Sequence, residues 1–380
     1  MRVALVHDAY DPVVLGNVGG EDNLVQLELK LLELHGIEVF PLIRSLSGAE
    51  RKKWQIQIAV TGKGISPLEE LDDWKPDVIH TNNLSLISGY DWMKSSPFPV
   101  VSSFHNYRPF CSISIAWRDG EICFACRDKG PSQALKNACG GPKGMVNALR
   151  TNAFQRGYPE LNYPQSLIFT SRRMAQAYKP LLTSAQNFAI INNPTRDISQ
   201  EIGKISISDK REGFLFAGRL SREKGILNLL ENWPKNEKLF IAGKGVELEQ
   251  VLQEIRTKEN IKYIGTYDPN DFSIYQRYEA LFFPSSWLEG SPLTVTEAIA
   301  SGLPVICTSF SSAAEIVSDT KSGIIVEGLL SEESIKAGIQ KLRKNWHTFH
   351  ENGMRARLSN LSPDSWALNL LDVFKKSIAS

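Results

Sequence analysis

Two glutamates, two cations and a histidine are the residues of this chain best placed to do chemistry. Glu289 lies in the loop Trp287-Leu288-Glu289-Gly290-Ser291-Pro292, and Glu297 follows after seven intervening residues. The apolar run Ala280–Phe283 before the loop reads as a buried parallel strand, and a helix starts near Leu293. Glu289 is thereby expected on a loop at the carboxyl end of a strand, and Glu297 just inside the next helix. Ligands of open α/β sheets bind beyond those strand ends. A loop carboxylate there can accept hydrogen bonds from sugar hydroxyls, a helix carboxylate can take a ribose diol, and the helix amino end favours phosphate. Arg219 and Lys224 straddle a turn after a second apolar run, Gly213–Ala217, and His105 closes a third, Val100–Phe104. Each of these groups also fits a structural role. A glutamate in a first helical turn is favoured by the dipole alone, exposed cations are commonly only solvated, and a histidine at a loop edge is often structural.

Four cysteines, Cys111, Cys123, Cys126 and Cys139, follow the pattern Cys-x11-Cys-x2-Cys-x12-Cys. Four thiolates around a hairpin could hold a structural zinc, and buried free thiols or a disulfide fit the same spacing. Cys307 lies in a strand and reads as core.

The elements that must position these groups form an α/β pattern. The chain has 380 residues, room for two domains with a core each. Its 42% hydrophobic and 22% charged content is ordinary for a globular protein, and a net charge of +1 gives no argument for nucleic acid. No apolar run approaches the ~20 residues that span a bilayer. The start, Met1 to Tyr10, reads as a buried strand and not as a leader, so a cytoplasmic protein with reduced cysteines is expected. Strand, glycine-rich loop (Gly16, Gly19, Gly20) and helix open the first half like a nucleotide-type domain, although the glycines do not make the dinucleotide fingerprint. The basic stretch Arg51-Lys52-Lys53-Trp54 reads as a solvated helix face or as a contact for an anionic acceptor or membrane surface. The polar stretch Thr195–Glu212 suits a linker.

Several stretches resemble the retaining glycosyltransferases of the GT-B fold, glycosyl transferases group 1 (family 4). The Glu-x7-Glu motif is matched by Glu289, Gly290 and Glu297; a Gly-Arg-Leu…Glu-Lys-Gly segment by Gly218 to Gly225; and a strand ending in His-Asn-Tyr-Arg, with Cys111, Arg118-Asp119-Gly120 and a Cys-x-x-Cys pair after it, by His105 to Cys126. The resemblance covers nearly the whole chain. It implies two Rossmann-like doubly wound domains facing a cleft: an acceptor-binding domain over 1–195, on which the last helix (364–380) packs, and a nucleotide-sugar domain over 196–363. It assigns Arg219 and Lys224 to the donor diphosphate, together with Gly19 and Gly20. Ser291, Leu293 and Thr294 fall in the loop that presents backbone N–H groups to it, though Pro292 can offer none. Glu289 with Gly290 is assigned to the transferred sugar, Glu297 to the nucleotide ribose, His105 to the sugar near the reacting carbon, and Arg108 with Tyr107 to the acceptor.

The implied reaction moves a sugar from a nucleotide-diphosphate sugar, UDP-linked, to a glycan or lipid-linked acceptor with retention. It needs no metal cofactor, because Arg219, Lys224 and the helix end can stabilise the departing phosphate. A front-face mechanism is expected, with Glu289 not acting as nucleophile. A nucleotide-sugar epimerase and a non-catalytic sugar-nucleotide-binding protein are the alternatives.

Overall fold

The computed structural model describes residues 1–9, 20–46, 48–82, 84, 86–141, 144–195, 211–268 and 271–380. The chain divides into two compact units. Unit 1 comprises Met1–Ala116, Cys123–Asn192 and Trp366–Ser380; unit 2 comprises Trp117–Ile122 and Asn193–Ser365. Both are built on parallel sheets, and the architecture is α/β with two Rossmann-like domains of the GT-B type.

In chain order the strands of the first half are β1 (Arg2–Asp8), β2 (Glu38–Arg44), β3 (Val78–Asn82), β4 (Val100–Phe104), the short β5 (Trp117–Arg118) and β6 (Glu121–Ile122), β7 (Ser166–Phe169) and β8 (Phe188–Ile190). Unit 1 holds the sheet β2-β1-β3-β4-β7-β8, parallel throughout. Alternate residues of each strand feed opposite faces. Ala4, Val6, Ile79 and Val100 pack on one side with Ile58 and Phe154. Val3, Val78, Val101 and Ile168 pack on the other with Leu32 and with Leu370 and Phe374 of the last helix, Pro363–Ala379. Ser377 Oγ donates to Ser166 Oγ at 2.8 Å, fixing that helix to β7.

Unit 2 holds β9 (Phe214–Ala217), β10 (Leu239–Ala242), β11 (Ile261–Gly265), β12 (Ala280–Phe283), β13 (Val305–Thr308) and β14 (Gly323–Val326), in the order β11-β10-β9-β12-β13-β14. Phe214, Phe216, Ile241 and Phe282 face one layer of helices, and Leu215, Leu281, Phe283 and Cys307 face the other. The hairpin β5–β6 belongs with this unit. Its two-residue turn is Asp119-Gly120, both at positive φ (52° and 92°), the backbone that lets so short a turn follow strand twist.

Glu160, in the short helix Pro159–Asn162 of unit 1, has no exposed surface, and neither carboxyl oxygen has a hydrogen-bond partner among the described residues. Burial pushes its pKa from 4.5 to about 8. The side chain is therefore mostly a neutral acid at pH 7. No helix among the described residues is long and apolar enough to cross a membrane.

Candidate active site

In unit 2 the groups singled out from the sequence sit on loops at the carboxyl ends of β9 and β12 and on the helix after β12. Two glycines explain how those loops come so close. A Cβ on Gly243, after β10, would lie 1.8 Å from the Gly218 carbonyl oxygen, so only glycine lets the two loops pack. A Cβ on Gly225 would lie 2.1 Å from the Pro284 carbonyl oxygen, and Gly225 has a φ of +74°. The turn Arg222–Lys224 is thereby pressed against the end of β12, and Lys224 meets Glu289.

That meeting is the centre of the site. Lys224 Nζ donates to Glu289 Oε1 at 2.5 Å. The same oxygen accepts from Ser285 Oγ at 3.0 Å and from the Trp287 indole N–H at 2.8 Å. Glu289 is 5% exposed, and Lys224 Nζ lies 5.6 Å and 5.5 Å from the ring centroids of Phe283 and Trp287. Arg219 is more open, with 57% of its side chain exposed, and is tethered at 2.8 Å to Glu223 Oε1, which also accepts from Ser221 Oγ at 2.6 Å. Glu223 in turn receives the Ser286 main-chain N–H on its own carbonyl at 3.0 Å. The loops carrying Arg219, Lys224 and Glu289 thus form one hydrogen-bonded assembly.

Glu297 lies in the second turn of the helix Leu293–Ala300, 4% exposed, with Glu297 Oε2 accepting the Tyr275 hydroxyl at 3.1 Å. Burial, and then the Glu297 charge, push the Tyr275 pKa well above its ordinary value, so the phenol stays a donor. Leu293 and Thr294 are half-buried at the helix start, and Gly290 is buried. Ser291 is buried; its hydroxyl accepts the Asn193 main-chain N–H at 3.0 Å and its carbonyl the Asn193 side-chain amide at 2.9 Å, bonds that do not use its own N–H.

Unit 1 places His105 just past β4, with His105 Nε2 2.7 Å from Asn82 Oδ1. The donor can be assigned. The Asn82 amide nitrogen donates to Glu28 Oε2 at 3.1 Å, so its oxygen faces His105, and Nε2 must carry the proton. Glu28 also pairs with His80 Nδ1, and His80 Nε2 lies 2.8 Å from Ser103 Oγ. Beside this array, His7 faces two acceptors, the Asn82 carbonyl at 2.6 Å and Asp22 Oδ1 at 2.8 Å. Burial works against a charged His7 ring, but Asp22 and the Asn82 carbonyl outweigh it and the pKa is raised. Asn82, Glu28, His80 and His7 are not among the site residues expected from the sequence. The one signal for them is a run of polar residues, His80-Thr81-Asn82, inside an otherwise apolar strand.

Two expectations need correction. Tyr107 has no exposed surface; it stacks on Tyr178 with ring centroids 6.0 Å apart and packs against Phe110, so it is core and cannot meet an acceptor. Arg108, 9% exposed, is no more buried than Glu289 or Glu297, and its main-chain N–H donates to Asn106 Oδ1 at 2.9 Å. The zinc expectation has no support: among the described residues no three of His, Cys, Asp and Glu converge as metal ligands, and all five cysteines are free thiols. Cys126 does lie near Cys111, Cys139 and Cys123, and burial followed by these neighbours pushes its pKa up to about 11, which holds it as a thiol. Gly19 and Gly16 lie outside the described residues, as does most of the expected linker. Gly20 opens the helix Gly20–Leu34, where a Cβ would meet nothing.

Comparison with known proteins relates the chain to glycosyltransferases. The chain is 22% identical over 292 residues to the lipopolysaccharide glucosyltransferase WaaG of Escherichia coli, covering 69% of this chain and 74% of that protein. Against several other curated relatives it spans about half of their length. Among solved structures, a sucrose-phosphate synthase from Thermosynechococcus elongatus superposes with a TM-score of 0.67 at 15% identity over 100% of this chain and 99% of that one. HepE of Anabaena, solved in complex with UDP-glucose, superposes at 0.61 and 13% identity over 99% of this chain and 100% of its own. Residues 197–360, the stretch that carries Arg219, Lys224, Glu289 and Glu297, match the family Glycosyl transferases group 1.

Proposed function

We propose that the protein is a retaining glycosyltransferase that moves a sugar from a UDP-linked donor to a hydroxyl of a glycan or glycolipid, without a metal. The observation that carries this reading is the buried junction of Lys224 with Glu289, 65 residues apart in sequence and joined at the strand ends. It sets a cation for a diphosphate directly against a carboxylate for sugar hydroxyls. The group 1 match over this stretch, the glucosyltransferase activity of WaaG and the UDP-glucose bound to HepE support it.

In the proposed reaction the bond between the anomeric carbon and the phosphate oxygen breaks while the acceptor oxygen bonds the same face of that carbon. The acceptor proton passes to the departing phosphate. Lys224 and Arg219 stabilise the charge that grows there, the kind of preorganised help whose loss costs on the order of 10²-fold or more in rate. Glu289 Oε1 already accepts from three donors, which lowers its nucleophilicity. That favours front-face transfer over a glycosyl-enzyme intermediate. Glu297 is proposed to take the ribose, and His105 to contact the transferred sugar.

Incubation with UDP-glucose and a panel of lipid-linked and oligosaccharide acceptors, read by NMR of the new anomeric proton, tests this. The α-linked product is expected, with Lys224→Ala slowing transfer by about 10²-fold or more. Normal transfer by Lys224→Ala, an inverted product, or conversion of the donor sugar without any acceptor would refute it.

A further inference from the structure

Unit 2 contains a second concavity beside the Lys224–Glu289 junction, about 490 Å³ in volume. The hairpin β5–β6 forms one wall, and the elements that follow β9, β10, β12, β13 and β14 form the rest. Gly225 and Ser286 line it, next in sequence to Lys224 and Ser285, so it adjoins the donor groups. Its size suits one or two sugar rings.

The walls are of mixed chemistry. Trp117 and Phe310 supply aromatic surface, Asn228 and Gln250 supply amides, and Asp119 and Arg222 supply one charge of each sign. Balanced charge does not select an anion. Arg222, the one cation among the described lining residues, is paired through Nε with Glu247 at 3.1 Å, which offsets its charge. The amides also make it a poor home for an acyl chain. A pyranose satisfies both kinds of surface: its C–H face packs on an aromatic ring, and its hydroxyls pair with amides, which donate or accept, and with a carboxylate, which accepts. The Trp117 indole nitrogen itself is buried, so the residue offers the pocket ring surface and not a donor.

From this geometry we infer that the pocket under the hairpin is a carbohydrate subsite, which binds a neutral sugar of the acceptor. Its acceptor role rests on the glycosyltransferase reading; sugar binding there does not. The hairpin tip, Asp119-Gly120, lies on the pocket's edge and brings Asp119 to it.

The test uses the full chain and two separate readouts. Saturation-transfer NMR follows methyl α-glucoside, methyl β-galactoside, methyl α-mannoside and N-acetylglucosamine up to about 20 mM, and calorimetry follows UDP. At least one sugar should bind. Trp117→Ala and Gln250→Ala should each weaken it by about tenfold or more while leaving UDP affinity within about twofold. Urea unfolding curves matching wild type certify that each variant is folded. Equal sugar binding by wild type and both variants, or no binding of any of the four sugars, overturns the inference. Failure of wild type to bind UDP counts against the donor reading and leaves the sugar comparison standing.

Discussion

Replacing Glu160 by glutamine removes a titration from the interior of unit 1 while keeping the shape of the side chain. The wild-type carboxyl is fully buried with a pKa raised from 4.5 to about 8. Between those values the folded protein holds a proton that the unfolded chain has released, so stability falls as pH rises through this window. The slope is about 1.4 kcal/mol per pH unit, and the whole interval amounts to on the order of 5 kcal/mol, flat below pH 4.5 and above pH 8. The amide introduced by Glu160→Gln cannot titrate. Urea unfolding of both proteins from pH 4.5 to 9 should therefore show curves that converge at the acid end and diverge in favour of the variant as pH climbs. At pH 7 the variant should lead by on the order of 3 kcal/mol. Parallel stability curves would refute the argument, because they would mean that Glu160 is hydrated or paired in solution.

Asn82→Ala removes the group that orients His105 through its Nε2 proton; turnover should fall while the affinity of UDP, measured by calorimetry, is unchanged, and unchanged turnover would show that the array does not position His105. Gly225→Ala should lose UDP binding and stability together, since its Cβ would lie 2.1 Å from a main-chain oxygen at a φ of +74°, and a fully active, equally stable variant in thermal melts would contradict the close packing described. Saturating EDTA should leave the transfer rate unchanged if Arg219 and Lys224 do the work of a metal, whereas restoration of a lost rate by magnesium or manganese would overturn the metal-free proposal.

Local chemistry explains what can be read from the chain alone. The strand Ala280–Phe283, the helix starting at Leu293 and the strand Gly323–Val326 follow from apolar runs bounded by proline, serine and glycine, and they have those bounds in the structure. The Ser171 cap is also local, its side chain accepting from the Met174 N–H. What escapes depends on partners distant in sequence. Tyr107 looks like a cleft residue until Tyr178 and Phe110 close over it. The spacing of Cys111, Cys123, Cys126 and Cys139 permits a metal site, but spacing does not say where thiols point. Glu28 and His80 reveal their roles only when helix Gly20–Leu34 crosses β3. The pairing of Lys224 with Glu289 is likewise invisible in the sequence, where each residue is assigned to a separate part of a ligand.

That pairing has a consequence for selectivity. Prying the lysine from the glutamate leaves two opposite charges in need of company, in surroundings that offer little water. A lone phosphate would satisfy the cation and strand the anion; a free monosaccharide would do the reverse. A molecule bearing both a diphosphate and a hydroxylated ring, at the right separation, satisfies the two at one stroke. On the proposed donor reading, such a latch would favour the intact activated sugar over its fragments and would discourage inorganic phosphate and stray glucose from occupying the site in a crowded cell.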